Sequence, residues 1–345
     1  MPNAYISGTG SYVPPQVFKN DDFKPVFGMD TNDEWIDQRT GIRERRYAER
    51  GVNTSDLALP AAQAAIEDAG LTPSDIDMII FATLSPDKAF PGTGVYLQKK
   101  LGALEGDAPK FMPCLDVRNQ CSGFLYSLST ASAFIKSGQY KHVLVVGAET
   151  HSAALDFTTR GRTVATLFGD GAGAVVVSAT EEDRGLRCSF LGADGRGAEA
   201  LKLDLWNIGE RPYVKLTGDL MSDGTVSAEM LWPQMNGKVV FKNAVERMIM
   251  VLMQSCWDQK ISHEDVDLFF FHQANKRIND YVAETLGIPK EKCPSNIERY
   301  GNTTAATIPL LMDECKRDGR LKKGMKVAAV AFGAGFTWGS AVIDW

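Results

Sequence analysis

"CSGFLYSLSTASAFIKSG" (121–138) lies without a gap on "NTTAATIPLLMDECKRDG" (302–319). Both have helical periodicity and end on a glycine. Both run into an apolar stretch of strand type, "KHVLVVGAE" (141–149) after the first and "KVAAVAFGAG" (326–335) after the second. Working outward, "AAIEDAGLTPSDIDMIIFAT" (64–83) matches "VLMQSCWDQKISHEDVDLFFFHQ" (251–273) as helix, polar turn, Asp and apolar strand. "YLQKKLGA" (96–103) then matches "DYVAETLGI" (280–288). Self-similarity over this length means a duplicated unit. We therefore expect two halves, 1–180 and 181–345, packed about a pseudo-twofold axis.

Short runs rich in Val, Ile and Phe recur at 76–83, 141–149, 171–177, 266–273, 326–335 and 340–344, each bounded by polar or glycine residues. Helix-period segments at 55–69, 92–102, 122–137, 238–259, 275–286 and 303–318 alternate with them, which predicts an α/β layered protein with mostly buried strands. With 345 residues, 44% of them hydrophobic, the chain can bury a large core. A net charge of −6 with mixed signs excludes a general affinity for nucleic acid. The six cysteines show no CxxC pair and the four histidines no HExxH cluster, so neither a disulfide framework nor a metal site is expected. "MPNAYISGTGSYVPP" lacks the basic and apolar regions of a signal peptide, and no apolar stretch reaches membrane-spanning length. A cytoplasmic location with reduced thiols and no membrane contact is the expectation.

The duplication puts Cys121 and Asn302 at equivalent positions, each opening a helix after an apolar strand. Cys121 reads either as a small buried filler or as a nucleophile whose thiolate is favoured by the positive end of a helix dipole. His272 closes the run "LFFF" and begins the polar "HQANKR", where sheet-bound ligands gather. Asn302 alone could be a helix cap. Together, a thiol, an imidazole and a carboxamide at strand-to-helix junctions form a set suited to acyl transfer. The glycine-rich "FGDGAGAVVV" (168–177) and "AFGAGFTWGSAVI" (331–343) lack a GxGxxG that opens a helix, and fit close backbone packing or an oxyanion turn better than a dinucleotide loop.

At these residues the chain resembles the β-ketoacyl-(acyl-carrier-protein) synthase III family of the thiolase superfamily. "DTNDEWIDQRTGIRER", "DVRNQCSGF", "LFGDGAGAVVV", "HQANKRI", "ERYGNTTAATIP" and "AFGAGFTWGSA" occur in the family's order over essentially the whole length. The resemblance implies a five-layered αβαβα thiolase-like fold and a homodimer. It implies an acyltransferase of fatty acid biosynthesis with no resident cofactor, taking acyl-coenzyme A as substrate. Cys121 would be acylated, and His272 and Asn302 would assist decarboxylation of malonyl-acyl-carrier protein. Cys121 and Ala334 would supply oxyanion N–H groups. Claisen condensation would then yield a 3-oxoacyl product. Trp35, Arg39, Arg162 and Asn275 would contact coenzyme A. Phe332 and Phe90 would shape the acyl pocket, Phe90 by reaching into the partner's. Arg277, Lys276 and Lys242 would meet the carrier protein.

"FGAGFTWGS" has no second cysteine, unlike a degradative thiolase, and the second partner is Asn302, where chain-elongating synthases resemble a Cys-His-His set. Three departures stand out. Arg118, Asn119 and Gln120 replace small residues before Cys121, Lys238 replaces an asparagine, and segment 196–236 is longer than its usual equivalent. They leave open a condensing enzyme or acyltransferase of specialised metabolism, polyketide or long-chain, while a binding module without catalysis is disfavoured by the three retained residues. Acyl chain length, branching and final product are not set by the sequence.

Overall fold

The computed structural model describes residues 1–105, 108–204 and 231–345. Most of segment 196–236, residues 205–230, therefore lies outside the described residues.

In chain order, strand β1 (Asn3–Tyr12) is followed by the ribbon β2 (Val17–Lys19) and β3 (Glu44–Arg46), with α1 (Phe23–Phe27) and α2 (Asp33–Thr40) between them. Then come α3 (Thr54–Asp68), β4 (Met78–Ala82), α4 (Thr93–Lys100), β5 (Cys114–Val117), α5 (Gly123–Lys136), β6 (His142–Glu149), α6 (Arg162–Ala165) and β7 (Gly171–Thr180). The remainder runs β8 (Gly185–Ala193), β9 (Leu201–Lys202), β10 (Gln234–Met235), α7 (Gly237–Asp258), β11 (Leu268–Phe271), α8 (Lys276–Thr285), α9 (Ile297–Tyr300), α10 (Thr307–Arg317), β12 (Lys326–Gly333) and β13 (Thr337–Asp344).

Two large sheets result, ordered β1-β7-β6-β4-β5 and β8-β13-β12-β11. In the first, β4 is parallel to β6 and β5, while β7 is antiparallel to β6 and β1. The second repeats the pattern: β11 is parallel to β12, and β13 is antiparallel to β12 and β8. The turn before β4 and the turn before β11 even share a capping box, Thr72 with Asp75 and Ser262 with Asp265. Two residues on, Asp77 accepts from the backbone N–H of Lys141 at 2.8 Å, and Asp267 from that of Lys326 at 2.8 Å. Each thus pins the start of the neighbouring strand, β6 or β12.

Strand alternation builds the layers, because successive side chains face opposite sides of a sheet. Ile80, Val145 and Val175 of the first sheet and Phe270, Ala329 and Ala341 of the second enclose Phe124 and Leu128 of α5 with Ile308 and Leu311 of α10 in one central core. The opposite face of the first sheet, with Ile79, Phe81 and Val146, packs on Ala58, Ala61 and Ala65 of α3. The outer face of the second, with Phe269, Phe271 and Val330, packs on Met248 and Leu252 of α7 and Val282 of α8. Five layers follow, with α5 and α10 in the middle, as the family resemblance implied.

The two central helices are entered through turns that lean on the opposite sheet. Gly333 of β12 sits so close to the first turn that a Cβ there would come within 2.8 Å of Cys121 Cβ. Gly147 of β6 sits against the second, where a Cβ would meet the Ala305 carbonyl at 2.2 Å. Ser122 and Thr337 hydroxyls, 2.8 Å apart, add a link between the first turn and β13 of the second sheet. Packing of the two sheets against α5 and α10 thereby brings both junctions to one place.

Candidate active site

Cys121 lies in a 3₁₀ turn, Gln120–Ser122, directly before α5. The residue before it, Gln120, holds the left-handed φ of 43°. The sequence expectation of a thiol acidified by the helix start is corrected here. Burial pushes the Cys121 thiol up to about 12, the Glu149 carboxylate raises it further, and only the backbone N–H groups of Cys121 and Ala334 pull the other way. Those two N–H groups are the ones expected to form an oxyanion site, and they favour the ionised form of the sulfur.

His272 follows the buried strand β11, where its N–H donates to the Val330 carbonyl at 2.8 Å. Its Nδ1 is 2.7 Å from Thr307 Oγ1, and its buried Nε2 has no hydrogen-bond partner among the described residues. Burial lowers its pKa to about 3, so the ring is neutral at physiological pH. Asn302 is not the first residue of a helix; it pairs with Phe168 in an isolated bridge, five residues ahead of α10. The Thr304 N–H donates to Asn302 Oδ1 at 2.8 Å, which orients the amide and leaves its two N–H bonds as donors. A single cavity of about 140 Å³ is lined by Cys121, His272 and Asn302, with Phe168, Phe332 and Phe241 among its apolar walls. It can hold a thioester carbonyl against backbone donors while presenting the Asn302 amide and His272 Nε2 as a second, separate polar pair.

The other expected residues fall in three places. Trp35 carries both arginine heads over its ring, with Arg39 Cζ 4.4 Å and Arg162 Cζ 5.0 Å from the centroid. Trp35 and Arg162 border an open pocket of about 500 Å³ beside Lys24 and Asn32. Asn275 lines the Cys121 cavity, but its amide is already used: Oδ1 accepts from the Arg277 N–H at 2.9 Å and Nδ2 donates to the Arg39 carbonyl at 3.0 Å. It braces α8 against α2 and so ties the Trp35 helix to the cavity mouth. Phe90 is 86% exposed and takes no part in this chain's own cavity. Arg277 and Lys242 are exposed, whereas Lys276 is held by Asp280 at 2.7 Å and packs under Gly41.

Two features escaped the sequence. Thr307, three residues beyond Thr304, is the partner of His272, and only the fold brings it there. Glu149, at the end of β6, is fully buried and accepts from the Ser85 hydroxyl at 2.5 Å, the Ser85 N–H at 3.1 Å and the Thr83 hydroxyl at 3.1 Å. Burial raises its carboxyl to about 7, and its bonds fix the loop that leads to Phe90. An acid closing an apolar strand, as in "VLVVGAE", was the available signal. No group of three or more His, Cys, Asp or Glu that could hold a metal occurs among the described residues.

Comparison with known proteins decides the family. Residues 115–195 match 3-Oxoacyl-[acyl-carrier-protein (ACP)] synthase III, and residues 256–345 match its C-terminal region. The β-ketoacyl-[acyl-carrier-protein] synthase III of Clostridium acetobutylicum is 43% identical over 345 residues, covering 100% of this chain and 99% of its own length. The chain belongs to the 3-oxoacyl-[acyl-carrier-protein] synthase III family. It is an enzyme of the β-ketoacyl-[acyl-carrier-protein] synthase III type, an acyltransferase, with the thiolase-like fold. The crystal structure of 3-oxoacyl-[acyl-carrier-protein] synthase III from Aquifex aeolicus superposes with a TM-score of 0.87 at 38% identity, covering 99% of this chain and all of that one. A priming β-ketosynthase from the R1128 polyketide pathway superposes with a TM-score of 0.85 at 29% identity, over 99% of this chain and 96% of that one.

Proposed function

We propose that this chain joins an acyl group from coenzyme A to malonyl-acyl-carrier protein with loss of carbon dioxide, in two steps at one cavity. In the first, Cys121 sulfur attacks the acyl thioester while the carbonyl oxygen rests on the N–H groups of Cys121 and Ala334, and coenzyme A leaves as its thiol. In the second, the malonyl thioester enters, and its carbonyl oxygen accepts from His272 and Asn302. Breaking the bond to the carboxylate releases carbon dioxide and leaves an enolate held by those donors. The enolate carbon attacks the Cys121 thioester, the Cys121 thiolate departs, and a 3-oxoacyl thioester remains on the carrier.

The observation that carries this reading is the pairing of two distinct donor sets around one apolar cavity: backbone N–H groups at Cys121, and Asn302 with His272 opposite. Trp35 and Arg162 beside the open pocket suit the adenine and phosphates of coenzyme A through stacking and charge. Arg277 and Lys242 are exposed cations suited to an acidic carrier protein. With halves 1–180 and 181–345, Cys121 comes from the first, and Ala334, His272 and Asn302 come from the second.

We also take the chain to be a cytoplasmic homodimer. Six free cysteines fit a reducing compartment, and no helix among the described residues is long and apolar enough to cross a membrane. Strand β5 is a sheet edge, and Phe90, Phe111 and Leu115 are exposed near it, a surface that a second copy would cover. The test is intact-protein mass spectrometry with short, branched and long acyl-coenzyme A donors, followed by malonyl-carrier protein with carbon dioxide counted. An acyl adduct that is discharged with one carbon dioxide per turnover is the expected result. Discharge to another acceptor without carbon dioxide would replace the reading.

A further inference from the structure

We propose that Arg45 is a positioning residue that ties the coenzyme pocket to the donor side of the cavity, holding the Trp35 and Arg162 helices and the Asn302 strand in one frame. This rests on the two-step reading above and says what keeps its two binding regions in register.

Arg45 is the bulkiest side chain among the described residues that the fold buries completely. Oxygens of uncharged groups meet its guanidinium. Nη1 donates to Asn20 Oδ1 at 2.7 Å and, more loosely, to the Phe18 carbonyl at 3.4 Å, and Nη2 donates to the Thr166 carbonyl at 2.7 Å. Cζ lies 4.8 Å from the centroid of the Phe23 ring. No carboxylate is among these partners, and a buried cation compensated by dipoles alone is costly to hold. A guanidinium spans separate acceptors in a fixed fork, which an ammonium cannot do.

Each contact leads to a functional region. Asn20 passes the link to α2, because its Nδ2 donates to Asp33 Oδ1 at 2.8 Å, on the first residue of that helix, and to the Ile42 carbonyl at 2.6 Å just beyond its end. Thr166 closes α6, and its hydroxyl donates to the Arg162 carbonyl at 2.7 Å. Those two helices carry Trp35 and Arg162, which meet head over ring. The stem of Arg45 backs the bridge between Phe168 and Asn302. There the Asn302 N–H donates to the Leu167 carbonyl at 2.8 Å, and the Gly169 N–H to the Asn302 carbonyl at 3.1 Å. A Cβ on Gly169 would come within 3.1 Å of Arg45 Cβ, and one on Gly301 within 3.5 Å. Phe168 and Asn302 both line the Cys121 cavity. None of these partners belongs to the Cys121 turn, which leans on Gly333 and Thr337 of the other sheet. Loss of the fork therefore loosens the coenzyme pocket and Asn302 while leaving Cys121 seated.

The test is Arg45→Lys, which keeps the charge and most of the stem but not the fork. Hydrogen exchange in the full chain should quicken about tenfold or more in peptides covering 33–42, 166–169 and 300–304, with those covering 119–124 unchanged. The KM for acyl-coenzyme A should rise about threefold or more and carbon dioxide release at saturation should fall about tenfold, while single-turnover acylation of Cys121 at saturating donor stays within about twofold. Exchange that quickens equally along the chain, equal losses in both half-reactions, or no change at all would overturn the proposal. Should the lysine variant fail to fold, Asn20→Ala cuts the arm to α2 alone. Faster exchange at 33–42 with a raised KM would then support the frame, and unchanged exchange there would overturn it. If the wild type takes no acyl group or releases no carbon dioxide, the two-step reading fails instead, and the exchange pattern still tests the frame without it.

Discussion

The turn at Cys121 and the turn at Asn302 occupy the same place in two similar layers, yet they are wired differently. Each contains one non-glycine residue in the left-handed region, Gln120 with φ 43° and Thr304 with φ 51°, and each leads into a central helix. A left-handed side-chain residue costs on the order of 1 kcal/mol, which the close packing on Gly333 and Gly147 offsets. At Cys121 the functional atom meets backbone N–H groups alone. Around Asn302 three side chains carry the polar groups: Asn302, oriented by the backbone N–H of Thr304, and His272, paired with Thr307. In the proposed mechanism these two similar turns approach one cavity, the first seating the nucleophile and the second the donors.

The sharpest way to break this comparison is at the nucleophile. Cys121→Ala should abolish both the acyl adduct and condensation, on the order of 10⁴-fold or more in turnover, because a covalent step has no substitute. An adduct of undiminished yield on the variant would place the nucleophile elsewhere. Next in size, Asn302→Ala should lower carbon dioxide release about 10²–10³-fold, as for loss of an oxyanion donor, with the adduct still formed. Loss of the adduct as well would erase the distinction between the turns.

A smaller effect is expected at the approach to the cavity. Trp35→Ala should raise the KM for the acyl-coenzyme A donor about tenfold, equivalent to about 1.4 kcal/mol, with little change at saturation. An unchanged KM would mean that the Arg39–Trp35–Arg162 group is only a brace. The smallest is a change in stability. His151 is buried with its ring stacked 3.8 Å from that of Phe168, a wall of the cavity, and burial lowers its pKa to about 4. The unfolded chain then binds the extra proton between pH 6.5 and 4. This histidine's contribution is complete above 6.5 and is lost as pH falls, at up to about 1.4 kcal/mol per pH unit. His151→Gln should flatten stability in that window by this amount, as read from urea midpoints, and an unaltered slope would show that His151 is protonated when folded.

Much of this was legible in the sequence. Helix and strand periods, the ungapped match of 121–138 to 302–319, and the Asp77 and Asp267 turns specify the layers, because buried strands and helices must repeat their apolar faces. That Cys121, His272 and Asn302 meet at one cavity was legible from the three taken together and from the family motifs that contain them, since each alone has an ordinary structural reading. What could not be read was the proton wiring. Thr307 looks like an ordinary first residue of a helix until β11 brings His272 to it, and Glu149 looks like a strand's polar end until the Thr83–Ser85 loop folds over it. The thiol's elevation had the same origin: the helix start was visible, but the burial that outweighs it depends on Gly333 closing from the other sheet.

The most direct single measurement is made on His272→Ala, scoring both half-reactions in one sample by intact mass for the Cys121 adduct and by carbon dioxide from malonyl-carrier protein. We expect the adduct at close to the wild-type rate and carbon dioxide release down about 10²–10³-fold. Equal collapse of the two would contradict a division of labour between the turns and would make His272 the base for Cys121.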